Sequence, residues 1–86
     1  MTMQKYVLVV DDEPRLTEFL QDFFSKVGYS MHVASSGEEA FRAVKEHLPA
    51  LVLLDMHMPG MDGIQVLQTL KERYPSIKVI VMTSYD

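Results

Sequence analysis

At 86 residues, with no cysteine, the chain has room for one small domain (1–86) and excludes disulfides, zinc thiolates and a thiol nucleophile. A hydrophobic content of 48% argues against disorder, and a net charge of −4 without a basic stripe argues against a nucleic-acid backbone or an anionic membrane as the main partner. The apolar run near the start is too short for a signal peptide and no run approaches the roughly 18 apolar residues of a membrane span, so a cytoplasmic protein is expected.

"YVLVV" (6–10) is a short, β-branched-rich run that stops at Asp11, which predicts a strand buried on both faces. Leu16, Phe19, Leu20, Phe23, Phe24 and Val27 recur at helical spacing and predict one apolar helix face. Pro14 suits the first turn of that helix and Gly28 its end. "YSMHVA" (29–34) is a more polar strand, placed nearer an edge. Ser36 with Glu39 forms a capping-box pattern opening a helix that carries Ala40, Phe41, Val44 and Leu48 and stops at Pro49. "LVLL" (51–54) repeats the first pattern and ends at Asp55. After the loop "MHMPGMDG", Asp62 with Gln65 caps a third helix with Ile64, Leu67, Leu70 and Tyr74 on its inner face, ended by Pro75. "IKVIVM" (77–82) is the last strand. Alternation of strand and helix predicts a parallel α/β sheet with right-handed crossovers and helices on both faces.

Sites in open parallel sheets form at the carboxyl ends of the strands. Here one strand runs into Asp11-Asp12-Glu13, another into Asp55 and another into Thr83. If those strands are neighbours, the groups meet. Two like charges about 4 Å apart repel by roughly 4 kcal/mol at an effective dielectric near 20, so clustered carboxylates take up a proton or a cation. Oxygen ligands select a hard cation such as Mg²⁺, which leaves room for phosphate oxygens, and a carboxylate beside it can attack a phosphoryl group. Plainer roles stay open: Asp12 or Glu13 at a helix N-terminus, Asp55 in a turn, Thr83 as a strand end. Met56, His57, Met58 and Met61 would make a soft set suited to Cu(I), but methionine more often fills irregular core gaps. His32 and His47 read as a strand and a helix-surface histidine.

"VLVVDDEP", "LVLLDMHMPGMDG" and "VIVMTSYD", at this separation, resemble the receiver domain of two-component response regulators, from residue 5 to the last residue. The resemblance implies a flavodoxin-like (CheY-like) fold, here with strand order 2-1-3-4 and three helices. It implies that Asp55 accepts a phosphoryl group from a sensor histidine kinase or phosphotransfer protein and that Asp11 and Asp12 hold Mg²⁺, with Mn²⁺ an alternative. It further implies that the backbone carbonyl of His57 completes the metal site, that Thr83 is the switch hydroxyl and that Ser84 keeps the phosphoryl pocket open. The chain is then a signalling module rather than an enzyme. A small Mg²⁺-dependent phosphatase with an aspartate nucleophile is the enzymatic alternative, disfavoured because position 57 is His where such enzymes commonly carry a second acid. A structural fragment that assembles without signalling is the other. Receivers continue through a fourth helix, a fifth strand that follows a lysine, and a fifth helix. The expectation is therefore a receiver cut after its fourth strand, impaired in phosphorylation and self-associating as a dimer through that strand.

Overall fold

A computed structural model describes residues 5–83. Its elements are β1 (Lys5–Val10), α1 (Pro14–Lys26), β2 (Tyr29–Ala34), α2 (Gly37–Glu46), β3 (Leu51–Asp55), α3 (Gly63–Arg73) and β4 (Lys78–Met82). The four strands pair in parallel in the order β2-β1-β3-β4, as a flavodoxin-like sheet requires.

Side chains alternate between the sheet faces with the period of two of an extended chain. Leu8, Val10, Val52 and Leu54 point to one face and pack with Ala40 and Val44 of α2 and Val66 and Leu70 of α3. Val7, Val9 and Leu53 point to the other, against Leu20 and Phe24 of α1. The continuous apolar runs of β1 and β3 are thus buried from both sides, with Val7 through Val10 fully inaccessible.

Each helix begins where its sequence signal lies. The Glu13 side chain accepts from the Arg15 N–H at 3.1 Å, and Pro14 occupies the first helical position of α1, where its missing N–H leaves no gap. Ser36 Oγ accepts from the Glu39 N–H at 3.1 Å, while the Glu39 carboxylate accepts from the Ser35 hydroxyl at 3.0 Å. Asp62 accepts from the Gln65 N–H at 3.2 Å. Gly28, at φ 88°, makes the left-handed turn that carries α1 into β2. The ammonium group of Lys71 donates to the carbonyls of Pro75 and Ile77 and ties α3 to the start of β4. His47 immediately follows α2, its ring set edge-on to Tyr6 with centroids 4.8 Å apart, rather than on the helix surface.

The single inner face expected for α1 divides in two. Leu20 and Phe24 reach the sheet, whereas Phe19 is 67% exposed, Phe23 50%, Val27 51% and Leu16 36%. At 3.6 residues per turn these six positions span an arc of about 140°, wider than one contact with a flat sheet can cover. The consequence is measurable by chemical denaturation. Leu70→Ala, at a fully buried position, should cost about 2–5 kcal/mol, and Phe19→Ala less than about 0.5 kcal/mol.

Candidate phosphoacceptor site

The parallel order makes β1 and β3 neighbours, so both acidic strand ends emerge side by side. Asp11 directly follows β1. Its N–H donates to the Ala34 carbonyl at 3.0 Å, extending the β1–β2 ladder by one bond, and its Oδ1 accepts from the Glu13 N–H at 2.9 Å. This turn holds a carboxylate that is only 1% exposed at the sheet's carboxyl edge. Asp12 is exposed, and Glu13 is spent on capping α1, which separates the three consecutive acids into two roles. Asp55, the last residue of β3, accepts on Oδ1 from the His57 N–H at 2.9 Å. The Met56 N–H donates to the Met82 carbonyl at 3.1 Å and ties the end of β3 to the end of β4.

Asp11, Asp12 and Asp55 each place a carboxylate oxygen within 4.8 Å of the others. Burial pushes the Asp11 carboxyl above its ordinary value. The Glu13 N–H opposes this, and the neighbouring Asp55 and Asp12 add to it. No lysine or arginine neutralises the group: among the described residues the one ion pair is Lys26 with Asp22 on the surface of α1. A buried acid crowded by two others and lacking a cationic side chain is the donor set that a hard divalent cation satisfies. The residues present therefore fit Mg²⁺.

Thr83 follows β4 and is exposed; register pairs Met82 with Asp55, which puts Thr83 just past the end of β3. Ser84 lies outside the described residues. The His57 side chain is exposed, and its backbone joins the site through the bond to Asp55. Lys78 pairs with Leu51 at the amino end of β3, on the far side of the sheet from the acids. The methionines are packing residues: Met58 is 5% exposed in the core, with Met56 and Met61 packed against it, which removes the copper alternative. Sequence reasoning had no signal for the close approach of Gly63 to Met56, which appears only when α3 is folded back.

The model of the response regulator receiver domain matches residues 7–86. Sporulation initiation phosphotransferase F of Bacillus subtilis is 42% identical over 83 residues, covering 96% of this chain and 67% of that protein. The alkaline phosphatase synthesis transcriptional regulatory protein PhoP of the same organism is 36% identical over 84 residues, covering 98% of this chain and 35% of the relative, so this chain spans about a third of that relative's length. Among solved structures, the response regulator TrrA of Thermotoga maritima, in complex with Mg²⁺ and BeF, superposes with a TM-score of 0.87 at 36% identity, covering 96% of this chain and 72% of that one. The same regulator in complex with the histidine kinase ThkA gives 0.86 at 36% identity over the same shares. Fold, acidic strand ends and these matches together place the chain in the family of response-regulator receiver domains.

Proposed function

We propose that this chain is the phosphoacceptor module of a cytoplasmic two-component relay, not an enzyme that turns over. Asp55 is the acceptor. One of its carboxylate oxygens attacks the phosphorus of a phosphohistidine on a sensor histidine kinase or phosphotransfer protein; an O–P bond forms, the N–P bond breaks, and the imidazole leaves with a proton. Asp11, Asp12, Asp55 and the His57 carbonyl would hold Mg²⁺, which when bound would supply charge neutralisation for the incoming phosphoryl oxygens. Asp11 and Asp12 orient and hold that charge, the His57 N–H fixes the Asp55 carboxylate, and the Thr83 hydroxyl donates to a phosphoryl oxygen. The convergence of three carboxylates within 4.8 Å at the ends of β1 and β3 carries this reading. The kinase complex formed by the structural neighbour TrrA supports the choice of partner. A net charge of −4 gives this segment no electrostatic footprint for nucleic acid. The test is incubation with Mg²⁺ and acetyl phosphate, read by intact mass. One phosphoryl group per chain, lost with EDTA, is expected; multiple turnover of a phosphomonoester would contradict an acceptor role.

We also propose that the 86-residue chain self-associates through β4. Within the described residues β4 is an edge of the sheet, with Ile80 52% and Val81 39% exposed on opposite faces and Lys78 its one charge. Natural edges are usually protected by charge, bulges or shortness. Two copies meeting about a twofold at Ile80 would pair Val79 with Val81 and Lys78 with Met82, which opposes no like charges and forms one continuous antiparallel junction. Light scattering across a dilution series should show dimers that Ile80→Lys converts to monomers. A folded wild-type monomer at micromolar concentration would contradict this.

A further inference from the structure

Gly63 is the first residue of α3 and is buried. A Cβ placed there would sit 2.7 Å from Met56 Sδ, 3.0 Å from Met56 Cε and 3.1 Å from Met56 Cα. Carbon atoms in good contact lie about 3.5–4.0 Å apart, so a methyl group does not fit as the residues stand. Conformation is not what demands glycine here: the positive-φ glycines among the described residues are Gly28 and Gly60, and Gly63 has ordinary helical geometry. Helix propensity favours alanine over glycine by about 1 kcal/mol in a helix interior, so local preference also argues for a side chain. Space alone requires its absence.

The atoms in the way belong to the residue between the acceptor and the carbonyl assigned to the metal. Met56 Sδ and Cε, the two nearest atoms, are packed against the core, so a methyl group at Gly63 pushes Met56 as a whole, and Met56 Cα cannot move without moving Asp55 and His57. That backbone is already held by the Met56 N–H to the Met82 carbonyl and by the His57 N–H to Asp55 Oδ1. The start of α3, lying against Met56, closes the remaining side. On the phosphoacceptor reading, we propose that Gly63 is a positioning residue for the acidic centre: its missing side chain lets α3 press on Met56 and set where the Asp55 carboxylate and the His57 carbonyl stand relative to Asp11.

The test compares Gly63→Ala, Met56→Ala and Met56→Ala/Gly63→Ala with the wild type. Mg²⁺ affinity is read by calorimetry, and the metal-free position of the His57 amide by ¹⁵N–¹H NMR. Gly63→Ala should stay folded, displace the His57 amide resonance and weaken Mg²⁺ binding about tenfold, the lower end of what supporting residues contribute at metal sites. Met56→Ala/Gly63→Ala removes the Sδ and Cε clashes and leaves a contact at Cα that a shift of a few tenths of an ångström relieves. It should return both readouts to those of Met56→Ala alone. A folded Gly63→Ala with unchanged affinity and an unmoved His57 amide would overturn the proposal, as would a loss that Met56→Ala does not repair. If Gly63→Ala fails to fold, Met56→Ala/Gly63→Val replaces it. Its larger side chain should weaken binding and move the His57 amide relative to Met56→Ala/Gly63→Ala, and equality of the two would overturn the idea. A folded wild type that binds no Mg²⁺ would instead overturn the phosphoacceptor reading, and the metal-free amide comparison would still decide the role of Gly63.

Discussion

Asp55→Asn should abolish covalent labelling by acetyl phosphate while leaving the fold intact. The amide oxygen can still accept from the His57 N–H, so the turn after β3 survives, but the nucleophilic carboxylate is gone. His57→Ala should leave labelling close to wild type, because the exposed imidazole makes no contact at the centre and the backbone groups remain. The described residues bring no cationic side chain to the acceptor centre. Lys78 lies opposite Leu51, four residues along β3 from Asp55, or about 13 Å at the rise of an extended strand. No ion pair among the described residues brings another cationic side chain to the acids. A preorganised group facing developing charge commonly contributes about 3–4 kcal/mol, so labelling by the described residues alone should run about 10²–10³ times slower than at a centre to which a lysine is supplied. Time-resolved intact mass measures this. Rapid stoichiometric labelling would show that a cation reaches the centre from outside the described residues, and labelling of Asp55→Asn would move the acceptor elsewhere.

Saturating Mg²⁺ should raise the thermal midpoint substantially. Free metal at about 100 times its dissociation constant stabilises by about 2.7 kcal/mol. For a domain of this size each kcal/mol shifts the midpoint by about 4–8 °C, giving an increase of about 10–20 °C. Asp12→Asn should lose most of that increase. Asp11→Asn should differ in sign. Its metal-free midpoint should rise, because the buried charge crowded by Asp55 and Asp12 is removed while the acceptor for the Glu13 N–H is kept, and added Mg²⁺ should then do little. The pH dependence follows from the raised carboxyl of Asp11. Its favourable, protonated form is fully present below the ordinary value of 3.8 and is lost as pH rises through the raised folded value. Metal-free stability should therefore fall across that window as Asp11 ionises. With Mg²⁺ the trend should reverse, since the cation binds the deprotonated ligands. Scanning calorimetry with and without EDTA distinguishes the two trends.

Much of this architecture was legible in the residues because each signal acts locally. The apolar runs 6–10 and 51–54 can be buried on both faces only in a sheet covered on both sides, and both are. Ser36–Glu39 and Asp62–Gln65 capping depends on bonds within one turn, so it survives any tertiary detail. The acidic centre was legible for a related reason. Asp11 follows β1 and Asp55 ends β3, a parallel sheet brings strand ends to one edge, and the strand order makes these two neighbours. What depended on relative placement was not legible. Helical spacing marked Phe19 and Phe23 as apolar but could not show that the hydrophobics of α1 packed against the sheet are Leu20 and Phe24. The three acids 11–13 look alike in sequence; their separation into a buried carboxylate, an exposed carboxylate and a helix cap follows from where the chain turns after β1. Ser84, assigned to the phosphoryl pocket by resemblance, lies outside the described residues.

One centre, formed where β1 and β3 end, is proposed to hold a divalent cation. Paramagnetic broadening by substoichiometric Mn²⁺ in a ¹⁵N–¹H spectrum tests it most directly, because the effect is confined to amides near the bound ion. The amides of Asp11, Asp12, Glu13, Asp55, Met56 and His57 should broaden first, and Mg²⁺ should restore them in competition. Uniform weak broadening, or selective broadening centred on another acidic pair such as Glu38 and Glu39 at the start of α2, would contradict the assignment of this centre.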